Sequence, residues 1–243
     1  MAAIMVMLEC LTNLHAGNGD VNYNLIDNEV EKDPVTGYAC INASGVKGAL
    51  RAYLKKHKKC DEFFGNDKQG RLRILGANLL AMPMRASSGE KAFYLVSTQD
   101  MQDAYAKLYG ILTGQQTDPE VSGDWTLARE EGISVEEVAL TMEKTLMGRS
   151  VYKISAEDYA SVPLPVIARN KLSDGKSENL WYEEVVPHET ILYFPVISED
   201  AKSDLALLRE FRNAIHDKVI QFGGNASIGY GLCKVTVKEL GDE

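Results

Sequence analysis

The sequence has no long hydrophobic run, and no stretch approaches the roughly 20 apolar residues that a membrane span requires. The apolar opening, Met1 to Leu11, lacks a basic leader and a small-residue cleavage site. It alternates like a first strand, not like a signal peptide. Cysteine is scarce, and Cys10, Cys40, Cys60 and Cys233 show neither a CxxC pair nor Cys/His spacing. That argues against a zinc site and a disulfide framework, and for free thiols in a reducing cytoplasm. Repeats and low-complexity tracts are missing. So is a surplus of basic charge: 26 Lys and Arg stand against 35 Asp and Glu, a formal net charge of -9. This balance weighs against a nucleic-acid binder acting alone, although affinity for phosphate depends on the local patch.

What is present is enough for a core. The 243 residues fit one elaborated domain or two small ones, and 45% are hydrophobic. The cations are unevenly placed. Lys47, Arg51, Lys55, Lys56, Lys58 and Lys59 cluster on and just after the first predicted helix, while acidic residues crowd 118–143. Either the chain has one basic and one acidic face, or the lysines merely solvate a helix.

The apolar pattern predicts a strand over 3–11, then a long polar loop. A helix follows over 43–58, capped by Asn42 or Ser44, with Ala49, Leu50, Tyr53 and Leu54 as its buried stripe. Strands follow over 71–82 and 91–97, separated by a turn at 86–89. Ser97 or Thr98 caps a helix to about Leu112. Residues 113–150 are polar and turn-rich, with a helix predicted near Val135–Leu146. The segment 164–186 reads as a hairpin around Asp174-Gly175. A buried strand over 190–197 leads to a helix capped by Ser198, with Leu208, Phe211, Ile215 and Val219 on one face. A glycine-rich loop and a last strand close the chain. With the hairpin and a lobe at 99–160 treated as insertions, the order reduces to βαββαβ. That is an α+β, ferredoxin-like (RRM-like) plan.

Several constellations bear on chemistry. In SGVKGALR (44–51), Ser44, Gly45 and Gly48 let a polyanion approach a helix start, and Lys47 and Arg51 lie one turn apart. The pattern is not a Walker A loop. In GGNASIGYG (223–231), Gly223, Gly224, Asn225 and Gly229 belong to a loop that either presents backbone N–H groups to an anion or needs glycine for geometry. Asp20, Asp27 and Asp33 sit in the loop over 12–42. Each can hold Mg²⁺, orient a hydroxyl, or serve as turn chemistry. His15 stands beside Gly17 and Gly19 as a candidate acid or base. In the hairpin, Arg169, Lys171 and Lys176 mix with Trp181 and Tyr182, which suits stacking on unpaired bases or a protein contact.

Taken together, LTNLHAGNGD, IDNEVEKDPVTG, INASGVKGALR, FFGN, LPVIARNKLSDGKSENLWYEEVVPHETILYF and IQFGGNASIGYGLCKV carry a family signature. The chain resembles the RAMP superfamily, and more narrowly the repeating backbone subunit of type III, most like III-B, CRISPR–Cas effector complexes. Glu29 stands where proline is usual, and Asn42-Ala43 replaces the usual helix start, which marks a divergent member. The resemblance implies a single RAMP domain over 1–243 with an active-site loop at 12–42 and a thumb hairpin at 164–186. It also implies a filament of identical subunits along a guide RNA, together with other effector subunits, in the cytoplasm. It makes Asp27 the catalytic and metal-holding residue, using Mg²⁺ or another divalent ion to cut single-stranded target RNA. His15 and Glu184 are implied as helpers. Ser44, Lys47, Arg51, Arg169, Lys171, Gly223, Gly224, Asn225 and Gly229 are implied as RNA contacts. A non-catalytic guide-binding scaffold and a small-molecule enzyme with phosphate loops are the competing readings.

Overall fold

The computed structural model describes residues 2–19, 25–115, 118, 121, 123–198 and 200–240. In chain order it runs β1 (Ala2–Cys10), β2 (Cys40–Ile41), α1 (Ala43–Tyr53), α2 (Cys60–Phe64), β3 (Leu72–Ile74), β4 (Ala77–Ser88), β5 (Phe93–Ser97) and α3 (Gln99–Thr113). Then come β6 (Thr126–Leu127), β7 (Ser134–Val135), β8 (Val138–Ala139), β9 (Met142–Leu146), β10 (Arg149–Lys153) and α4 (Ala156–Ser161). The hairpin strands β11 (Val166–Ser173) and β12 (Lys176–Glu184) follow, and then β13 (Ile191–Ser198), α5 (Ala201–Ile215), β14 (Lys218–Gln221) and β15 (Leu232–Leu240). One large mixed sheet, ordered β14-β15-β1-β13-β4-β5-β10-β9-β6, dominates, and few helices cover it. The hairpin forms a separate two-stranded sheet.

β1 is apolar on both sides because both sides are covered. Ile4, Val6, Leu8 and Cys10 share a core with Val46 and Leu50 of α1 and with Leu207, Leu208, Phe211 and Ile215 of α5. Ala3, Met5 and Met7 alternate to the other face, where Tyr105 and Tyr109 of α3 meet them. Phe211 packs edge-to-face on Phe63 of α2, with ring centroids 5.2 Å apart. Thr98 caps α3 by accepting from the backbone of Met101 at 3.2 Å. Cys10 and Cys233, distant in sequence, are register partners on β1 and β15. Their sulfurs lie 3.8 Å apart as buried thiols, and their mutual hydrogen bond, burial and Glu9 push the Cys10 thiol up.

Four expectations need correction. Residues 135–146 form β7, β8 and β9, not a helix. Buried Ile133 and Val135 alternate at strand spacing, Leu140 bonds back to Ile133 across the hairpin, and the reversal falls on Glu136-Glu137, a pair with no turn signature. α1 ends at Tyr53, which is exposed, and its buried stripe is Val46, Leu50 and Leu54. Val219 lies in β14 and is exposed. The turn after β4 comes later than 86–89, because Ala86 and Ser88 still pair with β7.

Glu136 and Glu137 both have positive φ, 44° and 72°, as a tight two-residue hairpin requires. Neither residue suits that region. Replacing the pair with Asn-Gly is expected to stabilise the chain by about 1 kcal/mol. Thermal unfolding checks this, and a lower melting temperature would contradict it.

Candidate active site at the foot of the hairpin

The hairpin turns at Asp174-Gly175, whose φ values of 49° and 78° match the type I′ turn expected of Asp-Gly. At its foot, consecutive residues of β12 point to opposite faces. Glu183 and Glu184 therefore reach in opposite directions, and both are buried.

Glu184 holds the loop over 12–42. Its carboxylate accepts from the backbone of Val30 at 3.1 Å and from Lys32 Nζ at 2.9 Å. Its carbonyl is 2.8 Å from His15 Nδ1. A carbonyl only accepts, so Nδ1 carries the proton.

Glu183 holds the rest. Oε2 accepts from Arg169 Nη1 at 2.9 Å, Oε1 accepts from Asn225 Nδ2 at 2.7 Å, and His15 Nε2 lies 3.9 Å away. The Arg169 guanidinium also stacks near Trp181 and Tyr230, at 5.2 and 5.8 Å from their ring centroids.

Asp27 sits where the loop meets the hairpin. Its N–H donates to the Tyr182 carbonyl at 3.0 Å, and Tyr182 N–H donates back to Oδ2 at 2.8 Å. Asn28 and Glu184 extend the pairing by one further bond at 2.9 Å. Asp27 is nevertheless exposed, and its Oδ1 has no partner among the described residues. Asp33 is different. Its Oδ1 accepts from Val35 N, Thr36 N and the Thr36 hydroxyl, and the Thr36 backbone bond leads in holding its pKa low. Asp20 lies outside the described residues. Burial, with Glu31 and Asp33 nearby, pushes the Cys40 thiol up to about 11, so it stays protonated and is no nucleophile.

The glycine-rich loop closes on the same place. Gly224 N–H donates to the His15 carbonyl at 2.8 Å, and Gly231 N–H to the Asn13 carbonyl at 2.8 Å. A Cβ at Gly223 would collide with that His15 carbonyl. Gly229 faces open space.

The basic helix start lies on α1. Ser44 and Lys47 are exposed there. Arg51 is turned toward α2, donating to the Gly65 carbonyl and, at 3.4 Å, to Asp61. Arg51, Lys55 and Lys58 line an open pocket of about 430 Å³. Lys171, near the hairpin tip, pairs with Glu178 at 2.9 Å and stays exposed.

The structure thus brings Asp27, His15, Glu184, Arg169, Asn225 and Gly224 together at one site. Among the described residues, neither Lys47 nor Arg51 bonds to these side chains; Arg51 bonds Gly65 and Asp61 instead. Reading the sequence alone misses Glu183 and Tyr230. A carboxylate pair at the end of a strand was the available signal, since alternation sends one acid to each side.

Among the described residues no three His, Cys, Asp or Glu side chains gather around one point. One accessible carboxylate is still a fitting donor for Mg²⁺. That ion keeps most of its waters and takes further oxygens from a bound phosphate. Asp27 is the residue that would hold it.

A family model described as the RAMP superfamily matches residues 7–234. The CRISPR system Cmr endoribonuclease Cmr4 of Pyrococcus furiosus is 29% identical, over 99% of this chain and 97% of its own length. The crystal structure of oligomeric Cmr4 from Pyrococcus furiosus superposes with a TM-score of 0.76 at 23% identity, covering 99% of this chain and 100% of that one. A chain from the type III-B Cmr-beta complex bound to cognate target RNA superposes with a TM-score of 0.78 at 19% identity, covering 97% and 96%. No helix among the described residues is long and apolar enough to cross a membrane.

Proposed function

The chain belongs to the RAMP superfamily, and from that membership we propose that it is the repeating backbone subunit of a type III, most like III-B, CRISPR RNA-guided complex. In this reading it binds the guide RNA along a filament and cuts complementary single-stranded target RNA at regular intervals. Its partners are copies of itself, other effector subunits and the two RNAs, in the cytoplasm. The supporting observation is Asp27, an exposed carboxylate hydrogen-bonded to Tyr182 at the foot of a hairpin.

The finer fold reading is a ferredoxin-like palm. The strand sequence β15-β1-β13-β4, with α1 and α5 sharing a core on one face, supports it. The palm, the active-site loop at 12–42, the lobe at 99–160 and the thumb at 164–186 then make one domain.

The chemistry follows from the layout. A guided nuclease leaves sequence reading to base pairing, so its side chains need only hold backbone and part strands. The hairpin is the wedge. An unstacked base beside it frees the adjacent linkage for in-line attack by a 2′-hydroxyl. Asp27 orients that hydroxyl and takes its proton while the 2′-oxygen bonds phosphorus and the bond from phosphorus to the 5′-oxygen breaks, the 5′-oxygen leaving as a hydroxyl with a proton from water. A divalent ion held by Asp27 would supply neutralisation of the phosphate charge. His15 and Glu184 support Asp27 by fixing the loop that carries it. Ser44, Lys47 and Arg51 on α1, Arg169 and Lys171 on the hairpin, and the loop of Gly223, Gly224, Asn225 and Gly229 hold RNA backbone.

The test is a cleavage assay. The subunit, co-produced with its partner subunits and a CRISPR array, is expected to purify with RNA. The complex should cut a labelled complementary RNA, with Mg²⁺ present, into evenly spaced products and leave unrelated RNA whole. Recovery as an RNA-free monomer or dimer would count against it.

One observation favours a non-catalytic scaffold instead: Oδ2 of Asp27 is already used by the Tyr182 backbone. Substitution at Asp27 separates the two.

A further inference from the structure

Glu183 is buried at 3% exposure, yet it bonds two different parts of the chain and lies against a third. Arg169 belongs to β11 of the hairpin, Asn225 to the glycine-rich loop, and His15 to the loop that also bears Asp27. Its immediate neighbours on β12 make the ties to Asp27 and to the segment that follows it. Tyr182 exchanges two hydrogen bonds with Asp27, and Glu184 fixes Val30 and Lys32. The hairpin otherwise stands apart as a two-stranded sheet outside the main one. Its angle to the rest of the molecule therefore depends on the few contacts at its foot.

We propose that Glu183 is a positioning residue that locks the hairpin to the glycine-rich loop, and so sets which phosphodiester lies opposite Asp27. This inference rests on the proposed function. A buried carboxylate suits the task. Its two oxygens face two donors at once, Arg169 from the hairpin and Asn225 from the loop, and neither donor can shift without losing a charge-assisted bond. Asn225 is held in the left-handed region, at φ 59°, so the loop presents that amide in one orientation. Arg169 is further fixed by Trp181 and Tyr230, one ring from each side of the joint. With the joint intact, the hairpin has one angle and Asp27 one address on the target. With it loosened, Asp27 remains present and chemically competent but meets neighbouring linkages.

The test reads the position of cutting as well as its rate. Complexes carrying Glu183→Ala are expected to bind guide RNA normally. They should yield products blurred over adjacent nucleotides, with cutting slowed about tenfold, less than the roughly 10²-fold that a full ångström of misplacement costs. Glu183→Gln keeps an acceptor for Arg169, and Asn225 can turn its amide to pair with the new one, so it should restore the wild-type cutting positions. If Glu183→Ala does not assemble, Glu183→Asp is scored the same way. It keeps a carboxylate for Arg169 but is one methylene short of spanning Arg169 and Asn225 together. Sharp, wild-type cutting positions in the scored variant would overturn the inference, whatever the rate. Asp27→Ala in the same assay keeps the two ideas apart. Unimpaired cutting by Asp27→Ala would overturn the proposed function and this inference with it. Loss of cutting by Asp27→Ala, beside unchanged positions in the Glu183 variants, would overturn the positioning role alone.

Discussion

Complexes assembled with Asp27→Ala lose target cutting by roughly 10²–10⁴-fold, the range for removing a general base, while guide RNA and stoichiometry stay unchanged. The expectation of normal assembly comes from exposure. Asp27 buries nothing, and its backbone pairing with Tyr182 does not need the side chain. Asp27→Asn is the sharper variant. Asparagine offers the Tyr182 N–H a carbonyl oxygen in the place of Oδ2, so the local hydrogen bond survives. It cannot take a proton from a hydroxyl, and it is a poor partner for a divalent cation. A catalytic Asp27 predicts that Asn fails as badly as Ala. A structural Asp27 predicts that Asn works, and Asn cutting as fast as the unaltered complex would remove Asp27 from the chemistry. Cleavage in excess chelator adds an independent arm. If the carboxylate acts together with a divalent ion, removing the ion should stop cutting without releasing the guide.

How far the sequence alone leads to this site depends on how local each signal is. Asp174-Gly175 announces the hairpin because two adjacent residues with positive φ define that turn. Thr98 announces α3 because the cap bond spans only three residues. The strands β7 to β9 stayed hidden because Glu136 and Glu137 make their turn without glycine or asparagine, and the surrounding charges read as helical. Asp27 and Asp33 show the limit from both sides. Asp33, beside Pro34, already reads as turn chemistry, and it closes its own turn with Thr36 three residues on. Asp27 bonds a residue 155 positions away, which no local rule announces. Glu183 was invisible for the same reason, since its bond to Asn225 crosses 42 positions. Local chemistry shows which residues could act. Only the closed fold shows which of them meet.

The glycine-rich loop offers the second large effect. Gly231→Ala should destabilise the chain by about 3–4 kcal/mol, near the top of what single substitutions do. Two independent causes act together. Gly231 has φ 72°, a region that side chains resist. An added Cβ would also fall on the carbonyl oxygen of Phe222, which cannot move away cheaply. The Phe222 ring is fully buried, and its N–H donates to the Gly231 carbonyl at 2.9 Å. Gly229→Ala is the control. It has a comparable φ of 83° but open space around it, so it should cost only about 1 kcal/mol of backbone strain. Denaturant unfolding of the two variants decides whether geometry or anion binding explains the loop. Equal, small losses would leave Gly231 without a structural role. A large loss at Gly231, with Gly229→Ala stable but weaker for guide RNA, would divide the loop into two jobs. In that outcome Gly231 would make the turn and Gly229 would meet the phosphate. The division has a consequence for catalysis, because Gly231 N–H also holds Asn13 at the entrance to the loop that carries His15 and Asp27. Strain introduced at 231 therefore reaches the cutting site through one hydrogen bond. Gly231→Ala complexes that do assemble should cut more slowly than their guide occupancy alone would allow.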